Sequence, residues 1–191
     1  KLTHKQISLN KNELEILTLY LLTLLNSREN GVYGYELYSP NEVVGNTASK
    51  LSKFIEIKSS DFCINLSEKS NNSLYNIASN KFYYGTSTDE KNIKPNIAVL
   101  YDNDSETVKY FLSIAYNSQE KQLTIRYRTD LYFFEDVRAC LDNFLEKYAA
   151  FALGGINFAE LLKLPDDYLN KYITDWNQTE ADYPDNKTIH K

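Results

Sequence analysis

The chain has 191 residues, 42% hydrophobic and 25% charged, with a net charge of −5, the size and composition of a single globular domain. The acidic balance argues against a nucleic-acid or anionic-membrane surface, since both reward clustered Lys and Arg. The longest apolar run, Ile16 to Leu25, is about half of what a bilayer-spanning helix needs.

No cationic, apolar leader opens the sequence, so a cytoplasmic protein without nucleic-acid or membrane partners is expected. Met is absent altogether, and "DNKTIHK" at the other end offers no terminating structure. Both features predict an excerpt from something longer.

In chain order the elements alternate between helix and strand. Lys11 to Asn26 is apolar almost all round, which predicts a helix buried between layers rather than one lying on a surface. "GVYGYELYSP" reads as a Tyr-rich strand ending at Pro40. "KFIEIKSS" alternates Ile55 and Ile57 with Glu56 and Lys58, a half-buried strand. Residues 71 to 83 place Leu74, Ile77, Ala78 and Phe82 on one helical face, and a polar stretch from Thr86 to Lys94 leads to the apolar strand "NIAVLYD".

"VKYFLSIAY" and "QLTIRYRT", joined by Asn117, Ser118, Gln119 and Glu120, read as a hairpin. In its second strand Leu123, Ile125 and Tyr127 face one way and Thr124, Arg126 and Arg128 the other. Apolar residues at helical spacing from Phe133 to Tyr148 predict an amphipathic helix to about Ala150. Gly154 and Gly155 then release the chain from it.

Chemistry-bearing constellations are scarce. His4 and His190 are the only histidines, one near each end, and neither has a second ligand at metal spacing. Cys63 and Cys140 stand apart without redox or metal spacing and read as buried thiols. With six Gly in all there is no phosphate-cradling loop, and no nucleophile elbow surrounds a serine. Asp102, Asp104 and Glu106 read as a solvated turn rather than an ion site, and Arg126 with Arg128 as an outer strand face rather than an anion patch. Tyr33, Tyr35, Tyr38, Tyr83 and Tyr84 read as core packing before interface. Spacing therefore assigns no catalytic residue, metal or cofactor.

The last quarter is different. "LLKLPDDYLNKYITDWNQTEADYPDNKTIHK" resembles the stretch that closes a condensation domain of a nonribosomal peptide synthetase and leads into its adenylation domain, where the pattern runs Trp-Asn-x-Thr, Tyr-Pro, then Thr-Ile-His. Trp176, Asn177, Thr179, Tyr183, Pro184, Thr188, Ile189 and His190 match it in order. Upstream, Tyr127, Thr129, Asp130 and Leu131 in "LTIRYRTDLY" resemble the family's strand end before its last long helix. "KNIKPNIAVLYDND" and "LTLYLLTLLNSRENGVYGYELYSP" resemble, less specifically, an Asn-Pro strand opening and a helix–strand pair of the same lobe.

The resemblance implies an α/β fold, a single chloramphenicol acetyltransferase-like lobe with a mixed sheet flanked by helices and an extended C-terminal linker. Residues 1–155 would be the C-terminal lobe of a condensation domain, and 156–191 the linker into an adenylation domain. The family's His-His-x-x-x-Asp-Gly motif belongs to the other lobe; there are no adjacent histidines here, so that lobe is expected to be absent. The family's long floor loop is here only about a dozen residues after the 71–83 helix, and its Gly-x-Phe-x-Asn stretch is represented loosely by "KLSKFIEIKSS".

These departures favour a non-catalytic platform contacting the following adenylation domain in cis. The alternatives are the C-terminal half of an active amide-forming enzyme, working with a separate N-terminal lobe on carrier-protein-bound substrates, and a recruitment domain for a trans-acting partner. Trp176 is the expected anchor, into a neighbouring pocket or back onto its own lobe, with Asn177, Thr179 and Pro184 shaping the exit.

Overall fold

The computed structural model describes residues 1–25, 30–38, 50–71, 83–84, 86–89, 92–102, 109–166, 168–170 and 174. Its strands are β1 (Leu2–Lys5), β2 (Gly31–Tyr38), β3 (Lys50–Ile57), β4 (Tyr83–Tyr84), β5 (Thr86–Asp89), β6 (Asn92–Pro95), β7 (Ile97–Tyr101), β8 (Leu112–Asn117) and β9 (Gln122–Tyr127). The helices are α1 (Lys11–Leu25), α2 (Cys63–Asn71), α3 (Phe134–Ala152) and α4 (Phe158–Leu162).

The main sheet runs β1-β9-β8-β7-β2-β3, with β4 also paired to β2. The β1–β9, β8–β9 and β2–β3 pairs are antiparallel, while β7–β8, β2–β7 and β2–β4 are parallel. The expected α/β architecture, a mixed sheet flanked by helices, is thus present. Alternation along the strands divides the sheet into two faces. Tyr33, Tyr35, Leu37, Ile55, Ile57, Val99, Ile114 and Ile125 pack with the helices in the main core, whereas Tyr38, Ala98, Leu100 and Tyr110 form a smaller cluster on the reverse.

α1 is buried along its length, every residue from Leu14 to Thr23 lying inside. Its two inward hydroxyls are satisfied locally: Thr18 and Thr23 each donate to the carbonyl four residues back at 2.8 Å. Asn10 and Glu13 close its start reciprocally, the Glu13 amide reaching Asn10 Oδ1 at 3.0 Å and the Asn10 amide reaching Glu13 Oε2 at 2.6 Å. α3 ends in a Schellman turn. Gly155 donates to the Ala150 carbonyl at 2.9 Å and Gly154 to that of Phe151 at 3.0 Å, with Gly154 at φ +74°, where only glycine sits without strain.

A buried ion pair lies inside this apolar frame. Glu15 is fully buried on α1, and its Oε2 accepts from Lys53 Nζ on β3 at 2.6 Å, Ser70 Oγ on α2 at 2.6 Å and the Tyr35 hydroxyl on β2. Lys53 Nζ donates further to the Ser70 carbonyl at 3.0 Å. Glu15 Oε1 meets no donor among the described residues. A second polar tie joins helices: Asn143 Nδ2 reaches the Tyr20 hydroxyl at 2.7 Å and the Leu161 carbonyl at 3.1 Å.

Several details differ from what the sequence predicts. The polar stretch Thr86 to Lys94 falls within an antiparallel pair, β5 with β6. A helix precedes it at Cys63–Asn71, whereas the 71–83 helix lies almost wholly on residues outside those described. β1 has no signal in the sequence, because its four residues are too few to establish a period. α4, inside the segment assigned to the linker, buries Phe158, Leu161 and Leu162 in the main core. No helix among the described residues is long and apolar enough to cross a membrane.

The buried pair yields a measurable asymmetry. Lys53→Met leaves the Glu15 carboxylate uncompensated and is expected to destabilise the chain by about 3–5 kcal/mol. The double change Glu15→Leu with Lys53→Met is expected to recover most of that loss. Urea midpoints of the two variants check it.

Candidate functional site

Among the described residues no group of three or more His, Cys, Asp or Glu side chains is placed to hold a metal ion. His4 lies half-buried on the edge strand β1, opposite Leu123, and His190 is outside the described residues. Asp102, at φ 46°, accepts from the Ser118 amide and hydroxyl at 2.6 Å each, so it closes the end of the β8–β9 hairpin. Its sequence neighbours Asp104 and Glu106 are outside the described residues.

Neither thiol is activated. Burial pushes the Cys140 thiol up to about 12, helped by the charge of Asp136, and burial raises that of Cys63 as well. Glu15, Lys53, Tyr35 and Ser70 bring a hydroxyl, an amine and a carboxylate together, but all four are buried, Ser70 at 1% exposure. Burial, then the Glu15 charge, raises the Tyr35 phenol well above its ordinary range. That cluster holds α1, β2, β3 and α2 together, with every member buried.

One outward-facing corner lies between β9 and α3. Tyr127 ends β9 half-buried, and the chain turns through Thr129, Asp130 and Leu131, the amides of Leu131 and Tyr132 both reaching the Arg128 carbonyl at 3.2 and 3.1 Å. Arg128 lies 5.0 Å over the Phe111 ring. Its guanidinium grips Asp130 with two nitrogens, Nε reaching Oδ1 at 3.0 Å and Nη2 reaching Oδ2. The hydrogen bond from Arg128 holds the Asp130 carboxyl below its ordinary range and raises the guanidinium in turn. Arg128 is therefore not part of an anion-binding face. The signal for this pair was the two-residue spacing of an Arg and an Asp across a turn.

Beyond the turn the surface becomes apolar. Leu131 is 47% exposed, Phe133 72% and Phe134 41%. Phe133 occupies the N-cap of α3 and makes no side-chain capping bond, at a position where Ser, Thr, Asp or Asn is ordinarily worth about 1 kcal/mol. An aromatic ring has been placed there at the expense of the helix.

The C-terminal segment returns to this same corner. After α4 packs against α3 near its C-terminal end, with the Phe151 and Phe158 rings 6.1 Å apart, the chain runs back along it. The Tyr168 hydroxyl donates to Asp136 Oδ1 at 2.8 Å, in the first turn of α3. Burial and this carboxylate raise the Tyr168 phenol above its ordinary range. Trp176, Asn177, Thr179, Tyr183, Pro184, Thr188, Ile189 and His190 all lie beyond this point, outside the described residues.

No family model matches the sequence, and no curated relative matches it. The structure is similar to the starter condensation domain of the rhizomide synthetase RzmA, with a TM-score of 0.47 at 10% identity, covering 86% of this chain and 48% of that one. It is similar also to the first condensation domain of the CDA synthetase, with a TM-score of 0.44 at 9% identity, covering 80% of this chain and 41% of that one. The chain spans about half of the length of these condensation domains.

Two measurements test the corner and the thiols. A pH titration by NMR is expected to show Asp130 losing its proton below the ordinary carboxylate range, and returning to that range in Arg128→Gln. Because the folded value is depressed, whatever the pair adds to stability is present above the unfolded value and fades as pH falls through the folded one. With a thiol reagent at neutral pH, Cys140 is expected to react only after unfolding, and Cys63 more slowly than a free thiol.

Proposed function

We propose that this chain is the C-terminal lobe of a nonribosomal peptide synthetase condensation domain, serving as a non-catalytic platform for an adenylation domain that follows it in cis. The observation that carries the reading is the ordered series Trp176, Asn177, Thr179, Tyr183, Pro184, Thr188, Ile189 and His190 after the lobe. Eight matches in one order resemble the family's bridge into the next domain.

The physical character of the lobe supports the role. An adenylation domain reorients during its cycle, and a neighbour can hold its larger part still only if it is itself rigid. The main core ties helices and strands into one cluster, and a buried ion pair connects α1 to β3. In this reading residues 1–155 are the lobe and 156–191 the connector, whose first turns, in α4, are rooted in the lobe's own core. The connector therefore leaves from a fixed point. No cofactor is needed for such a role.

The test uses the native protein that carries this segment joined to its downstream domain, with and without residues 1–172. Loss of substrate-dependent adenylate formation or of solubility on deletion, with a partial loss in Trp176→Ala, is the expected outcome. Intact adenylation, with amide formation on carrier-bound substrates appearing only when a separate N-terminal lobe is added, makes the chain half of an active enzyme and defeats the platform reading. Intact adenylation with loss of a trans-acting enzyme's product makes it a recruitment domain.

A further inference from the structure

The apolar corner at the start of α3 has an exposed aromatic where a helix cap belongs, and the chain's own C-terminal segment is led to it. We propose that Leu131, Phe133 and Phe134 form a docking surface for Trp176 of the same chain, so that the connector is fastened to its lobe before it leaves.

The route of the chain carries the proposal. Tyr168 is hydrogen-bonded to Asp136, three residues along from the Phe133 N-cap of α3, which places the departing chain beside the corner. Trp176 follows eight residues later. Eight residues span about 12 Å as a helix and at most about 28 Å fully extended. Either span covers the first turn of a helix that the chain already touches.

The chemistry of the two sides matches. Trp176 is the only tryptophan in the sequence and stands in a polar stretch, between Asp175 and Asn177. The corner offers three large apolar side chains within four residues, one of them 72% exposed. Aromatic pairs add to area burial when they meet edge to face or offset. Docking would also account for Phe133 at a position whose local demand is a polar cap.

Because the chain holds a single tryptophan, its fluorescence reports this contact alone. In the 191-residue chain the emission is expected to lie to the blue of the urea-unfolded chain, and acrylamide is expected to quench it less efficiently. Phe133→Ser with Phe134→Ser, changes at exposed positions, should shift emission to the red and raise quenching toward the unfolded value while far-ultraviolet circular dichroism is unchanged. Tyr168→Phe, which removes the tether to Asp136, should raise quenching by a smaller amount.

Leu153→Ser is the control. Leu153 is 89% exposed at the other end of α3, and its replacement should leave the emission where it is. A solvent-like emission in the unaltered chain overturns the proposal. So does a shielded tryptophan indifferent to the double change, or one shielded only at high protein concentration, which would mean a second copy as occupant. The measurement needs no downstream domain, so its failure leaves the platform reading untouched, and failure of the platform reading leaves the docking intact.

Discussion

A carboxylate in the middle of an apolar helix constrains everything around it. Glu15 sits fully buried on α1 and is neutralised by Lys53 from β3, while hydroxyls of β2 and α2 donate to the same Oε2. Four successive elements, α1, β2, β3 and α2, must therefore meet at one oxygen atom. An apolar core of the same volume would tolerate small slips of a helix along the sheet. A buried charge does not, since a slip of one residue would strand it. The pair therefore fixes the register of α1 over the sheet.

Much of this was legible from residue spacing. The all-round apolar character of Leu14 to Leu25 announced a helix with no wet face, and α1 has none from Leu14 to Thr23. The helical spacing from Phe133 to Tyr148 located α3, and Gly154 marked its end. The buried ion pair was half visible: in "KLSKFIEI" the alternation that buries Ile55 and Ile57 also buries Lys53. A cation on a core face calls for an anion, and Glu15 is the acidic residue within the buried stretch Leu14 to Thr23 of α1. Pairing the two needed the fold, because no local rule links residues on different elements.

The outward-facing corner was less readable, for a physical reason. Tyr127, Thr129, Asp130 and Leu131 were marked by resemblance, but their structural work depends on Arg128 folding back over Phe111 and gripping Asp130. Turn geometry sets that contact, and turns have no period. The exposure of Phe133 was hidden for a similar cause. Helical spacing counted it among the inward apolar residues, while the helix begins one residue later and leaves it at the cap.

The pairing of β1 with β9 has a consequence of its own. Leu2 to Lys5 align with Ile125 to Gln122, so the strand nearest one end of the chain covers the outer edge of a strand far along it. It carries Thr3 and Lys5 on its exposed positions, and a charged, four-residue strand is a poor template for another chain. β9, by contrast, buries Leu123, Thr124 and Ile125 in succession. β1 thus acts as an edge guard. A chain trimmed by five residues would present a longer, more apolar strand to its neighbours, and sheet-to-sheet aggregation is the hazard that this short segment holds off.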